Sequence, residues 1–200
     1  AVFDDDTTGR ARLKYYFDIK DTHADLRSRP VPIWTMEAAF EERVIETLES
    51  TFGTLAEKGT LVDAVLSASH NVVADNIPDY LRDLMDCRKD SLLEELDDLN
   101  VEVAYKRALE SSVAYMLLTR LSIPADAYIM PEDFVAIYDF NTRETINALG
   151  IAASDIAEMG LREISRTVMQ ARQEQNFAKK EKAEYDTTIE ATKATNERSV

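Results

Sequence analysis

Histidine, cysteine, glycine and long apolar runs are all scarce in this chain of 200 residues, and each scarcity removes a class of chemistry. Only His23 and His70 occur. A zincin site needs two histidines at i and i+4 with a third ligand nearby, and His70 has Ala74 at that position. Acyl transfer through an imidazole base needs His beside Ser or Cys, whereas His23 falls in a polar loop and His70 in the middle of a predicted helix. The five glycines Gly9, Gly53, Gly59, Gly150 and Gly160 never approach one another, so no phosphate-cradling loop forms. Carboxylates abound, as in Glu94, Glu95, Asp97 and Asp98, but no Glu-x-x-His pair exists to build a di-metal bundle site. The sequence therefore assigns no catalytic residue, no metal ligand and no cofactor, and leans away from an enzyme.

The single Cys87 cannot form an intramolecular disulfide, which fits a reducing compartment, and core packing is its expected role. No apolar run approaches a membrane span and no signal-peptide pattern opens the chain, so the expectation is a cytoplasmic protein without membrane contact. The first residue is Ala1 in place of Met, which points to a piece of a longer protein or a trimmed chain.

What the chain has in excess is negative charge. The formal net is -15, and residues 41–100 hold fifteen Asp and Glu against five Lys and Arg. Such a surface repels nucleic-acid phosphates and anionic lipid, and it attracts a basic partner or imitates DNA. Solvated acidic helices are the plainer reading of the same pattern.

The fold class expected is mainly α: a compact multi-helix bundle over 34–170, with a short N-terminal β arm in 1–33 and a polar tail or linker over 171–200. Within the arm, Leu13–Ile19 (LKYYFDI) has strand composition. Arg10, Arg12 and Lys14 beside Tyr15 and Tyr16 are the one place where single-stranded nucleic acid could stack and pair, although six acids offset six bases in residues 1–34. Pro30 and Pro32 form an extended link to Trp34, an anchor for the core.

Helical spacing then recurs down the chain. Phe40, Val44, Leu48 and Phe52 mark a first helix closed by Gly53. Thr60 with Asp63 caps a second, which Pro78 interrupts, and Pro78 opens a short third helix ending around Cys87 to Lys89. Ser91 and Glu94 carry a capping-box pattern for a helix reaching Ile123, the spine of the molecule, with a kink or break near Asn100. Its inward side is Leu92, Leu96, Leu99 and Val103, then Leu109, Val113, Met116, Leu117 and Leu121. Pro131, Glu132 and Asp133 start a further helix facing Phe134, Ile137 and Tyr138 inward. Asn141 with Glu144 caps a helix ending at Gly150, and Ser154 caps another through Val168. Beyond Gln170 the chain continues as a solvated helix or as a linker. No repeat of fixed period occurs, and heptad spacing is not sustained.

Four segments carry a resemblance. ALESSVAYMLLTRLSI (Ala108–Ile123) resembles the "EAESVAYxVCxxLGI" segment of ArdC-like proteins, antirestriction and zincin-like domains of large polyvalent proteins from conjugative elements and phages. AVFDDDTTGR and YYFDIKDTH resemble the "VFDxxQT" strand of the same proteins, and Phe140–Val168 is similar to a helical region of mobile-element proteins. Glu110 stands where the resemblance implies an acidic metal ligand. The family's His-Glu-x-x-His pair is missing, so its peptidase activity does not carry over, and what the resemblance implies is the context of a bacterial mobile element.

The resulting expectation is a non-catalytic interaction module that binds a protein partner with a basic surface, or further domains of a longer chain. Glu41, Glu42, Glu46, Glu49, Asp83 and Asp86 are its predicted contact residues. A DNA mimic acting as an antirestriction or anti-defence inhibitor is the alternative.

Overall fold

The structure, a computed structural model, describes the backbone of residues 2–5 and 11–14, and then residue 34 and residues 36–197, with side chains placed for 34, 36–182 and 185. The chain divides into two units, Ala1–Pro32 and Ile33–Val200. In the first, β1 (Val2–Asp5) pairs antiparallel with β2 (Ala11–Lys14), Phe3 opposite Leu13. Most of the predicted strand Leu13–Ile19 lies outside the described residues, as do Arg10, Tyr15, Tyr16, His23 and the Pro30–Pro32 link. The second unit is mainly helical and compact.

Helix α1 (Ala38–Phe52) buries Phe40, Val44 and Leu48 at four-residue steps and stops at Gly53, whose φ of 82° suits a residue without Cβ. Helix α2 (Leu61–Cys87) opens at the predicted Thr60–Asp63 start, where a capping box forms: the Asp63 N–H donates to Thr60 Oγ1 at 3.1 Å, and Asp63 Oδ2 accepts from the Thr60 N–H at 3.0 Å. It does not break at Pro78. Val73, Ile77 and Leu84 are all buried and remain in helical phase across the proline, so burial on both sides outweighs one missing N–H. The expected third helix is the second half of α2.

The spine also differs from expectation. Ser91 makes no cap; its hydroxyl donates to the Arg88 carbonyl at 2.5 Å, and Glu94 accepts instead from the Asp90 N–H. A single 3-10 turn (Leu92–Glu95) follows, and helix α3 runs from Asp98 to Arg120 with Asp97 as the cap, its carboxylate taking the Asn100 N–H at 2.8 Å. The inward side of α3 is Val101, Tyr105, Ala108, Leu109, Val113 and Leu117, while Leu99 and Val103 face solvent. Helix α3 ends in a Schellman arrangement: Ser122 holds a left-handed φ of 59°, and the Ile123 N–H reaches back to the Leu118 carbonyl at 3.0 Å. The end comes three residues before the limit set by Pro124.

The 22 residues from Leu121 to Thr142 cross back along α3. Their main element is a 3-10 helix (Pro131–Asp139), whose three-residue period sets Phe134, Ile137 and Phe140 along one edge toward the core. Tyr138, expected inside, is 78% exposed because that period turns it outward. Asn141 is not a cap for the next helix; its carboxamide oxygen accepts the Leu92 N–H at 2.9 Å. Thr142 takes that place, accepting from the Thr145 N–H at 3.2 Å.

Helix α4 (Arg143–Glu197) passes through Gly150, Ser154 and Gly160 without interruption, merging two predicted helices and the predicted tail. At Gly160 the lack of a side chain lets α3 approach, since a Cβ there would stand 3.2 Å from Leu117 Cδ2.

Contacts fix the directions. Asn71 donates to the carbonyls of Phe52 and Thr54, and Glu41 lies beside Leu61 and Val62, so α1 and α2 run parallel. The eight residues of the connection reach at most about 28 Å when extended, enough to return along the ~22 Å of α1. Helix α3 is antiparallel to α2, with Arg88 on Asp98 at 2.8 Å and His70 beside Glu110. Helix α4 is parallel to α3 and antiparallel to α1, where Thr47 meets Thr167 and Gln175 meets Glu37. The result is an up-up-down-down four-helix bundle with two crossovers. Trp34 seats on this bundle as an anchor, its backbone N–H donating to the Arg120 carbonyl at 2.9 Å and its ring under the Arg120 guanidinium at 5.1 Å. Among the described residues no helix is long and apolar enough to cross a membrane.

Candidate functional site

The bundle concentrates the charge. Residues 35–170 hold 26 acidic against 11 basic residues, a net of -15, whereas 1–34 and 171–200 each hold six of either sign. Glu42, Glu46 and Glu49 follow one another on the side of α1 opposite Phe40, Val44 and Leu48, because steps of four and three keep one face of a helix. Glu42 and Glu46 are exposed. Glu49 is held by Lys58 Nζ at 2.7 Å, and that hydrogen bond lowers its pKa below the ordinary carboxylate value. Glu41 is half-buried and turns to the small groove between the first turns of α1 and α2.

Asp83 and Asp86 are exposed near the far end of α2. The Asn71 bridge sets that residue level with Phe52, so Glu46 and Asp83 stand roughly 27 Å apart along the bundle axis. The six predicted contact residues thus form two patches, one on α1 and one where α2 ends.

Around the second patch a pocket of about 300 Å³ opens between α2, α3 and α4, lined by Asp83, Glu144, Tyr80, Tyr105 and Cys87 among others. Burial raises the pKa of Tyr105 above its ordinary value, and the neighbouring Tyr80 and Asp83 add to it. The Tyr105 hydroxyl reaches the Ala148 carbonyl only at 3.5 Å. Burial likewise raises the Cys87 thiol, which keeps it protonated and unreactive at neutral pH. Cys87 packs partly buried against the core.

His70 and Glu110, forty residues apart in sequence, meet across α2 and α3. His70 Nδ1 is 2.7 Å from Glu110 Oε1, yet that buried oxygen accepts no aligned hydrogen bond, so the pair is a close contact of charge and ring. Lys106 Nζ is 3.8 Å from the same oxygen. No group of three or more metal-ligating side chains forms among the described residues. The segment carrying the ArdC-like resemblance is the buried half of α3, with Ala108, Leu109, Val113, Ala114, Leu117 and Leu118 in the core, so its apolar spacing has a packing cause of its own.

Two grooves flank the 131–139 helix. One, about 570 Å³, runs over Ile129, Phe134 and Ile137, where Tyr115 donates to Asp126 at 3.1 Å and meets Phe134 edge-on. The other, about 630 Å³, lies between that helix and α3 and includes Val103, Glu110 and Val135. Neither groove was predicted; the signal was present in Leu99 and Val103, whose apolar spacing implied a covering partner. No family model, no curated protein and no solved structure matches the chain.

Proposed function

We propose that this chain is a non-catalytic helical module of a bacterial mobile-element protein, working in the cytoplasm by binding a protein partner with a basic surface. The observation that carries the reading is the placement of charge. The whole formal excess of -15 falls on residues 35–170, and Glu42, Glu46 and Asp86 are exposed there with no ion-pair partner among the described residues. Unpaired carboxylates on a rigid bundle steer a basic partner and fix its orientation. The mobile-element context rests on the ArdC-like resemblance of Ala108–Ile123, and the N-terminal β arm with Arg10, Arg12 and Lys14 is an accessory element in this reading.

The alternative, a DNA mimic, asks for carboxylates along one continuous ridge. Two patches about 27 Å apart, set by the helical rise, suit a protein contact better than a duplex copy.

The test is affinity capture of basic proteins from a bacterial extract at low salt, with Glu42→Lys, Glu46→Lys, Asp83→Lys and Asp86→Lys combined in one variant. Loss of a captured protein from the variant, with binding to wild type that weakens as salt rises, is the expected result. Capture unchanged by the four reversals sinks the reading, and salt-dependent inhibition of a DNA-cleaving enzyme would favour the mimic.

A further inference from the structure

We propose that the groove between α3 and the 131–139 helix is a docking site for a basic amphipathic helix of the partner. This rests on the reading of an acidic module with a basic protein partner, and it adds an anchoring site on α3, a helix that shares no substantial contact with α1 and its acidic stripe.

Two observations converge. The first is uncovered apolar surface. Val103 is 46% exposed and Val135 57%, and they border the groove from its two sides, with Ala104 and Ala136 between them. Leu99, one turn before Val103 on α3, is 69% exposed. These spacings are what an amphipathic helix reads with anchors at i, i+3, i+4 and i+7. The second is the charge of the lining: Glu110, Glu132, Asp133 and Asp139 line the groove with one cation, Arg107, and Glu110 is already flanked by His70 and Lys106. Asp133 is engaged by the Met130 N–H at 2.8 Å, which leaves Glu132 and Asp139 as the open rim.

Charge selects among occupants. A second copy of this chain would press the same acidic rim against itself, and a nucleic acid would bring phosphates to it. A basic helix removes Val103 and Val135 from water while its cations meet Glu132 and Asp139.

The experiment uses the full chain and a fluorescent leucine–lysine peptide of about 18 residues with apolar positions at helical spacing, long enough for about 27 Å of helix. A scrambled peptide of identical composition is the control. Fluorescence anisotropy is expected to show at least tenfold tighter binding of the amphipathic peptide. Val135→Glu and Val103→Glu, both at exposed positions and checked for fold by circular dichroism, are expected to weaken it at least tenfold even though each adds a negative charge. Glu132→Lys with Asp139→Lys should weaken it severalfold and flatten its salt dependence, while Glu42→Lys with Glu46→Lys should leave it unchanged.

Equal binding of the two peptides, absence of binding, or groove variants that bind like wild type would each overturn the proposal. If only the α1 reversals weaken the peptide, the groove proposal fails and the acidic-module reading stands. Sedimentation showing a dimer that Val135→Glu dissociates would overturn it in favour of a second copy.

Discussion

Leu117 of α3 lies directly under Gly160 of α4, with its Cδ2 3.2 Å from where a Cβ on the glycine would stand. Leu117 is in the core and has little room to yield. Gly150, ten residues earlier on the same helix, faces open space instead. Alanine relieves the helical cost of glycine by about 0.5–1 kcal/mol, so Gly150→Ala is expected to stabilise by that amount. Gly160→Ala is expected to lose the gain to crowding and come out neutral or destabilising. Urea unfolding of the two variants checks the pair, and equal gains at both positions would refute the close approach.

Ser122 carries the left-handed turn that ends α3, at a φ of 59°. A side chain in that region costs about 1–2 kcal/mol, part of which glycine returns as freedom of the unfolded chain. Ser122→Gly is therefore expected to stabilise by roughly 0.5–1 kcal/mol, and Ser122→Val, β-branched, to destabilise. A lower melting temperature for the glycine variant would contradict the assigned turn.

Tyr105 is fully buried, and burial raises its pKa above the ordinary 10.0. The sign follows from the proton count. Above pH 10 the unfolded chain releases the phenolic proton while the folded chain keeps it, so the stability present below pH 10 falls as pH rises. Tyr80, raised by burial and by Asp155, and Tyr115, raised by its hydrogen bond to Asp126, act in the same direction. Tyr105→Phe is expected to make the alkaline loss of stability shallower between pH 9 and 11, by roughly the share of one titrating tyrosine. An unchanged slope would show that Tyr105 ionises normally.

The Thr60–Asp63 box satisfies two N–H groups at the start of α2. Thr60→Ala is expected to cost about 1 kcal/mol in chemical unfolding, and Thr60→Ser to cost much less, since only the hydroxyl is required. Equal losses would place the effect in the methyl group.

Some of this architecture was legible from residues alone and some was not, for physical reasons. Thr60 and Asp63 act within one turn, so their pattern identified a helix start, as Gly53 identified an end. Ser91 and Glu94 show the same pattern without the same outcome: the chain satisfies both locally and leaves the cap to Asp97. Pro78 reads locally as a break, but continuation of α2 is decided by burial of Ile77 and Leu84 against other helices. Gly160 reads as a weak point, and only its distance to Leu117 shows why a glycine is there. The nearness of His70 to Glu110 depends on α2 and α3 running antiparallel, and the groove beside Val103 on the path of residues 121–142 back along α3, neither of which local spacing decides. The acidic residues were identified by composition; their separation into two patches needed the bundle.

Glu37, just before α1, touches Gln175 of α4, so the polypeptide enters and leaves the bundle at one end. Tension applied between those two points would not drag the helices lengthwise past one another. It would peel α1 from α4 turn by turn, beginning with the ion pair of Arg43 and Glu174 and continuing to Thr47 and Thr167. Such peeling loads one layer of contacts at a time, and α3, which shares no substantial contact with α1, lies outside the layer that opens first. Under load the molecule is an unzipping catch, weakest where the chain passes in and out and strongest where its groove is carried.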